Sequence, residues 1–337
     1  MKKYKIGVVG IGAVGTEIVK ILRERRFPAE EIRILARTER DEEVAGEHFH
    51  VRAASAEAFE GLDYAIFAGT EGAKGASRLY GWKAVQRGVV VIDNGDDFRM
   101  DERVPLVIPE INPQAISTHQ GFIANPNCST IIALMALAPL HRAAGVQRFV
   151  ASTYQSVSGS GRAAVRELEQ QVHAVMSGID PPFQVYPYPI AFNVLPHICR
   201  FKSKMPGYTS EEAKFLFETR KILGDETIRV SATCVRVPVF VGHGVALNLE
   251  FRKPLSPDDA RRILKEAPGI QVVDGPDQTQ YPLLTEAAGK DDCLVGRIRK
   301  DESVAHGLAL YVAGDNLRKG AALNAVQIVE AIHSDDF

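Results

Sequence analysis

A chain of 337 residues with 45% hydrophobic and 24% charged side chains is long enough for two domains and for a large core without disulfide or metal staples. Its formal net charge of −2 offers no basic field for nucleic acid or acidic lipid, and no apolar run reaches the roughly 18 residues of a membrane span. The four cysteines, Cys128, Cys199, Cys234 and Cys293, are scattered with no CxxC pair; that spacing argues against a zinc or disulfide framework and fits a reducing cytoplasm.

Met1-Lys2-Lys3 is basic, but Tyr4 to Gly10 runs into a glycine motif instead of a small-residue cleavage site. It reads as a first strand (Lys5 to Val9), not a signal peptide. Ala13 to Leu22 reads as a helix because Val14, Ile18, Ile21 and Leu22 recur at helical spacing. Ile32 to Ala36, Tyr64 to Phe67, Val89 to Ile92, Pro105 to Ile108 and Phe122 to Ala124 are short β-rich runs, with Ser77 to Arg87 a helix between two of them. This alternation predicts a mostly parallel, doubly wound sheet of Rossmann type over residues 1–127. The second half changes character. Arg148 to Tyr154, Thr227 to Val237, Val245 to Phe251 and His306 to Val312 are longer β-branched runs, separated by helices at Gly161 to Met176 and Glu211 to Leu223. They predict an α+β domain over 128–315, with a mixed sheet covered on one face. An apolar helix, Ala321 to Ile332 within a tail of about 316–337, is expected to dock back on the first domain.

Gly10-Ile11-Gly12-Ala13-Val14-Gly15 is a G-x-G-x-x-G loop between strand and helix. The first glycine permits the tight turn, the second lets backbone N–H groups approach a pyrophosphate, and the third lets helix and strand pack. The helix N-terminus stabilises the anion. At the end of the second strand, where an NAD enzyme usually offers a carboxylate to the ribose, stand Arg37, Thr38 and Arg40. Guanidinium suits a 2′-phosphate, so NADP is expected; the alternative is two solvated loop arginines beside Glu39.

Asn125-Pro126-Asn127-Cys128-Ser129-Thr130 leads into the apolar helix Ile131 to Leu137. A cysteine at a helix N-terminus is biased toward thiolate, and the same N–H groups can stabilise an oxyanion. A nicotinamide site combined with such a thiol implies thioester chemistry with hydride transfer at the acyl carbon.

Asn125 to Thr130 closely resembles the active-site segment of aspartate-semialdehyde dehydrogenases. Further similar segments run along the whole chain: Asp93-Asn94 with Phe98-Arg99-Met100, Val107 to Asn112, Tyr154 to Gly159, Gly207-Tyr208-Thr209, Val230 to Pro238, Val295 to Arg299, and Asp315 to Ala322. The resemblance implies Cys128 as nucleophile, Gln155 as the residue orienting the acyl intermediate and His243 as general acid/base. It implies Arg236 as the clamp for the substrate α-carboxylate and Glu211 for its amino group. Arg99, Asn127 and Lys214 are implied for phosphate, and Ser158, Gly159 and Asn316 as further cofactor contacts. It also implies a small-molecule substrate, no metal, and a homodimer or homotetramer assembled through the second domain. The reaction implied is NADPH-dependent reductive dephosphorylation of L-aspartyl 4-phosphate, at the branch to lysine or diaminopimelate, methionine and threonine.

Taken singly, these residues also have plainer readings. Glu211 lies in the first turn of a helix expected to be capped by Thr209 and Glu212, where acids are common for dipole reasons. His243 sits between two glycines, and a lone loop histidine is more often a surface residue. The chain also departs from the family pattern. Its nucleotide loop is one residue shorter, Gly95-Asp96-Asp97 puts two carboxylates near Arg99, Phe67 to Gly72 is atypical, and Gly244 follows His243. The rival readings are an N-acetyl-glutamyl-phosphate reductase and a catalytically idle nucleotide-binding or partner-binding paralogue.

Overall fold

The computed structural model describes residues 2–69, 75–275 and 279–333. Thr70, Glu71 and Gly72 of the atypical loop, Met1, and the end of the expected docking tail lie outside them. The chain divides into two compact units, 1–127 with 321–337, and 128–320.

In the first unit β1 (Tyr4–Val9) runs through the glycine turn into α1 (Ala13–Glu24) and returns as β2 (Ala29–Ala36). A hairpin follows, β3 (Arg40–Val44) and β4 (Glu47–Ala53), then β5 (Tyr64–Phe67), α2 (Ala76–Val85), β6 (Val90–Asp93) and β7 (Phe122–Ala124). The sheet order is β3-β4-β2-β1-β5-β6-β7, parallel throughout except for the β3–β4 hairpin. β1 has β2 on one side and β5 on the other. The strand order therefore reverses beside it, and the loop after β1 opens at the crevice where such sheets bind ligands. Ile18, Val19, Ile21 and Leu22 of α1 and Ala325, Val326, Ile328 and Val329 of the last helix (Leu323–His333) share one core with Ile6, Val8 and Ile34.

Two features of this unit differ from the expectation. The β3–β4 hairpin has no matching signal, because Arg40–Val44 is mostly charged and its turn is Ala45-Gly46, both at positive φ (54° and 82°). The turn is of the kind that asparagine-glycine usually announces. Pro105 to Ile108 is not a strand. It is a buried irregular segment with one bridge, Leu106 to Ala124. Pro105 at its start has no N–H to donate and Pro109 follows directly, so the apolar run is buried without continuing a ladder.

The second unit opens with α3 (Cys128–Ala144), followed by β8 (Val146–Gln155), α4 (Arg162–Met176), β9 (Phe201–Lys202), β10 (Met205–Thr209), α5 (Ser210–Leu223), β11 (Arg229–Arg236) and β12 (His243–Phe251). It ends with α6 (Pro257–Glu266), β13 (Ile270–Val272), α7 (Leu284–Ala287), β14 (Cys293–Lys300) and β15 (Gly307–Gly314). Its main sheet, β11-β8-β12-β15-β14-β13, is mixed: β8–β11 and β13–β14 are parallel, the other pairs antiparallel. α5 packs on β11, α3 on β12 and β15, and α6 on β13 and β14, forming one helical layer. On β8 the buried residues Phe149, Ala151, Thr153 and Gln155 alternate with the more accessible Arg148, Val150, Ser152 and Tyr154. Residues Ser129 to Ala138 of α3 are all buried, and from Ile131 to Ala138 the helix is apolar on every face.

No helix among the described residues is long and apolar enough to cross a membrane. None of their His, Cys, Asp and Glu side chains form a group of three or more placed to hold a metal ion.

Candidate functional site

In the first unit the glycine loop has the geometry an anion cradle requires. Gly10 turns at φ +94°, and a Cβ on Gly15 would lie 1.9 Å from Gly10 O, so both positions need glycine for the turn itself. Gly12 differs: a Cβ there would meet nothing within 4 Å. It is the N-cap of α1 and carries no side-chain cap, so the first-turn N–H groups of α1 have no side chain folded over them. These residues fit a dinucleotide pyrophosphate.

Arg37, Thr38 and Arg40 are all exposed at the end of β2 and the start of the hairpin. Arg40 donates to Glu42 (2.8 Å) and to Thr38 (O at 3.0 Å, Oγ1 at 3.2 Å), and Glu39 pairs with His50 at 3.1 Å. Asp41 pairs with His50 as well, at 2.9 Å, so Glu39, Asp41 and Glu42 all have partners. No hydrogen bond or ion pair holds Arg37 among the described residues.

Arg99, also in this unit, is 5% exposed; its Nε donates to Asn125 O (2.9 Å) and its Nη2 to Asn94 O (2.7 Å). Asp97, one of the two acids close to Arg99 in sequence, forms an ion pair with Arg78 at 2.7 Å. Asn127 is buried.

The second unit gathers residues that are remote in sequence. Strand register sets Gln155 at the end of β8 directly between Arg236 on β11 and His243 on β12. All three are buried, His243 completely. Glu211 reaches the same place from the first turn of α5. That turn is fixed by a capping box, in which Thr209 Oγ1 accepts from Glu212 N–H and the Glu212 carboxylate accepts from Thr209 N–H. Glu211 Oε1 accepts from Gln155 Nε2 at 3.4 Å, and its Oε2 pairs with Lys214 Nζ at 3.2 Å, one turn along the helix. Both side chains of this ion pair are largely shielded from water. Burying charge costs several kcal/mol per ion before pairing offsets it, so a stability role alone is a weak explanation for the pair.

Ser156, the residue after β8, organises the histidine. Its N–H donates to His243 Nδ1 at 3.1 Å. A nitrogen that accepts carries no proton, so the neutral ring holds its proton on Nε2. Burial, with the Arg236 guanidinium adding to it, pushes the His243 pKa down to about 3, so the ring is neutral at pH 7. Arg236 Nη1 donates to Ser156 O at 2.6 Å, and its guanidinium lies 5.9 Å from the Tyr186 ring centroid.

Two nitrogen donors of this cluster have no partner, Arg236 Nε and His243 Nε2, and both are buried. Each such group costs about 1–3 kcal/mol, and a catalytic role is one reason for tolerating it. Gly159 lies over them. A Cβ there would come within 3.0 Å of Arg236 Nη1 and 3.2 Å of His243 Nε2. The Gly159 loop is braced by Asn316, whose Oδ1 accepts from Gly242 N–H (2.9 Å) and Ser156 Oγ (3.1 Å) and whose Nδ2 donates to Ser158 Oγ (2.9 Å).

Cys128 is the first residue of α3, half-buried and in no disulfide. A Cβ on Gly320 would lie 2.9 Å from the Cys128 Cβ, so the chain passes against the cysteine only because residue 320 has no side chain. Cys234 and Cys293 are fully buried, and burial pushes the Cys234 thiol pKa up. Cys199 is exposed, its Sγ 3.9 Å from Glu211 Oε2.

Of the residues singled out from the sequence, Gln155, Glu211, Lys214, Arg236, His243, Ser158, Gly159 and Asn316 are thus joined in the second unit through direct contacts or strand register. Arg99, Asn127 and the nucleotide-loop residues belong to the first. Sequence reasoning gave no role to Ser156 or Tyr186. Ser156 lies in a segment that carries the family resemblance, but its contact with His243 depends on the pairing of β8 with β12.

Residues 5–119 match the family model described as semialdehyde dehydrogenase, NAD binding domain, and residues 137–319 the one described as semialdehyde dehydrogenase, dimerisation domain. The aspartate-semialdehyde dehydrogenase of Aquifex aeolicus (strain VF5) is 47% identical over 340 residues, 98% of each chain. That of Synechocystis sp. (strain ATCC 27184 / PCC 6803 / Kazusa) is 42% identical over 332 residues, 97% of each. The crystal structure of aspartate semialdehyde dehydrogenase II from Vibrio cholerae, complexed with ASA, matches all of both chains with a TM-score of 0.93 at 40% identity.

Proposed function

This chain belongs to the aspartate-semialdehyde dehydrogenase family and is an oxidoreductase, and we propose that it converts L-aspartyl 4-phosphate to L-aspartate 4-semialdehyde with NADPH. The product would feed lysine or diaminopimelate, methionine, threonine and isoleucine synthesis. The observation that carries this reading is the buried row Arg236–Gln155–His243, with two donors left unpartnered and the Glu211 carboxylate beside it.

Cys128 attacks the acyl carbon as thiolate. A C–S bond forms, the C–O bond to phosphate breaks, and phosphate leaves with the electron pair and takes up a solvent proton. Gln155 and the N–H groups at the start of α3 orient the resulting thioester. A nicotinamide cofactor held by the Gly10 to Gly15 loop would supply hydride to that acyl carbon. His243 presents Nε2–H to the alkoxide so formed, and as a neutral ring it holds that proton while the alkoxide collapses, breaking the C–S bond and restoring the thiolate. Arg236 holds the α-carboxylate and Glu211 faces the ammonium group. Arg99, Asn127 and Lys214 are assigned to phosphate.

Arg37 supports NADP over NAD, because it is exposed and uncommitted next to the place where a 2′-phosphate would lie. Ser158, Gly159 and Asn316 complete the cofactor assignment, with Asn316 shaping the loop from behind. A homodimer, or a dimer of dimers, is supported by the match to a dimerisation domain. It is supported also by large exposed apolar side chains between Met176 and Phe201, among them Ile179, Phe183, Tyr188 and Phe192. Thiolate chemistry suits the reducing cytoplasm.

The deciding assay runs the reverse reaction, NADP reduction with phosphate and either L-aspartate semialdehyde or N-acetyl-glutamate semialdehyde. Glu211 would be left unpaired against an acetylated amine. The aspartyl aldehyde is expected to be turned over far better, with Glu211→Gln losing efficiency mainly on it. Preference for the acetylated aldehyde would overturn the substrate assignment and leave the cysteine chemistry standing.

A further inference from the structure

The last helix carries Asn324, a fully buried amide that has no place in the reaction above. Its Nδ2 donates to Asn125 Oδ1 at 2.6 Å and to Val107 O at 3.0 Å. Asn125 Nδ2 donates in turn to Asn94 Oδ1 at 3.0 Å, and Asn94 Nδ2 donates to Phe67 O at 2.8 Å. The three amides form a head-to-tail chain. Its direction is fixed from both ends, since the carbonyls of Val107 and Phe67 can only accept. Neither terminal amide can flip, and the middle one must therefore offer oxygen to Asn324 and nitrogen to Asn94. Chains of this kind reinforce each bond through polarisation.

What the chain holds is the bed of Arg99. The guanidinium is gripped by two backbone carbonyls, those of Asn125 and Asn94, and these belong to the two residues whose side chains the relay locks together. A guanidinium recognises a tetrahedral oxyanion by direction as much as by charge, so a small rotation of either carbonyl re-aims it. We propose that Asn324, through Asn125 and Asn94, is a positioning residue that sets the Arg99 guanidinium for phosphate. This rests on the assignment of Arg99 to phosphate made above.

The test uses the full-length enzyme in the phosphate-dependent assay, with inorganic phosphate, aldehyde and NADP each varied. Asn324→Leu removes both donors while keeping the same branching and number of side-chain heavy atoms, and Asn324→Asp sets a carboxylate against two acceptors. Both are expected to raise the KM for phosphate roughly tenfold, the order expected for one lost buried hydrogen bond. The KM for aldehyde and for NADP should stay within about twofold. Acidification adds a distinctive readout. Once protonated, the new carboxyl of Asn324→Asp can donate to Asn125 again. Its phosphate KM, as a ratio to wild type at the same pH, should recover toward pH 5, while that of Asn324→Leu should not. If either substitution on the helix prevents folding, Asn94→Ala breaks the far end of the relay at a less buried position and should give the same selective rise. An unchanged phosphate KM, or a parallel loss in all three substrates, overturns the proposal. Arg99→Lys separates the two levels. If it leaves the phosphate KM unaltered, the assignment of Arg99 fails; if it raises that KM while the asparagine variants do not, the relay alone fails.

Discussion

The two units present the groups proposed for anion and substrate recognition by different means. The first offers main chain: a glycine turn and an uncapped helix start, contributed by six consecutive residues, Gly10 to Gly15. The second offers side chains from β8, β11, β12 and α5, which are up to about 90 residues apart and meet only because strand register aligns them. A main-chain cradle needs little more than the absence of Cβ atoms. A side-chain constellation needs every supporting contact. Damage to the side-chain row of the second unit should therefore appear in kcat, and damage to the Gly10 to Gly15 loop of the first in cofactor KM.

The largest expected effect is at the nucleophile. Cys128→Ser should lower turnover by at least about 10⁴-fold, measured as NADP reduction at saturating substrates. Alkylation followed by peptide mapping should label Cys128 first. Cys234 and Cys293 are shielded and only Cys199 competes, so faster labelling of Cys199 would remove the case for an activated thiol at the start of α3.

A pair of glycine substitutions tests the contrast directly. Gly159→Ala puts a methyl against Arg236 and His243 and should lower kcat by about 10²-fold, comparable to the loss of one oxyanion donor. Gly12→Ala meets no protein atom, so its melting temperature and kcat should be close to wild type while the cofactor KM rises about tenfold, by analogy with one lost charge-assisted contact. Equal kcat losses in both variants would erase the distinction between the units.

Arg37→Asp should reduce the preference for NADP over NAD by roughly tenfold, the effect of one charge-assisted contact, read as the ratio of kcat/KM values. Arg40→Ala should change that ratio less, because Arg40 is already bound to Glu42 and Thr38. A larger effect at Arg40 would reverse their roles.

The last effect concerns stability against pH. His243 has a folded-state pKa of about 3, below the roughly 6.5 of an unfolded chain. Between those values the unfolded state binds the extra proton, so the stability due to the neutral ring is present above pH 6.5 and is lost as pH falls toward 3. The slope is at most about 1.4 kcal/mol per pH unit. Thermal melting of wild type against His243→Gln should show a shallower acid dependence in the variant; parallel curves would mean the histidine is not buried neutral.

The sequence by itself determined what is local or periodic. The glycine loop, α1, the capping box at Thr209, Cys128 at a helix start and the parallel sheet of the first unit all follow from neighbouring residues, because turn chemistry and helical spacing act over a few positions. The family resemblance added Arg236, Gln155, His243 and Glu211 as named positions, with no geometry. Only the tertiary structure decided what pairs with what. It made a hairpin from the charged run Arg40–Val44 and left Pro105 to Ile108 as a buried bridge, because strand partners and the missing proline N–H outweigh local apolarity. It gave Arg40 to Glu42 and left Arg37 uncommitted, set Ser156 on His243 and thereby its tautomer, and linked Asn324 to Asn125 across 199 residues. Hydrogen bonds act over about 3 Å, and no pattern along the chain encodes which distant groups will come that close.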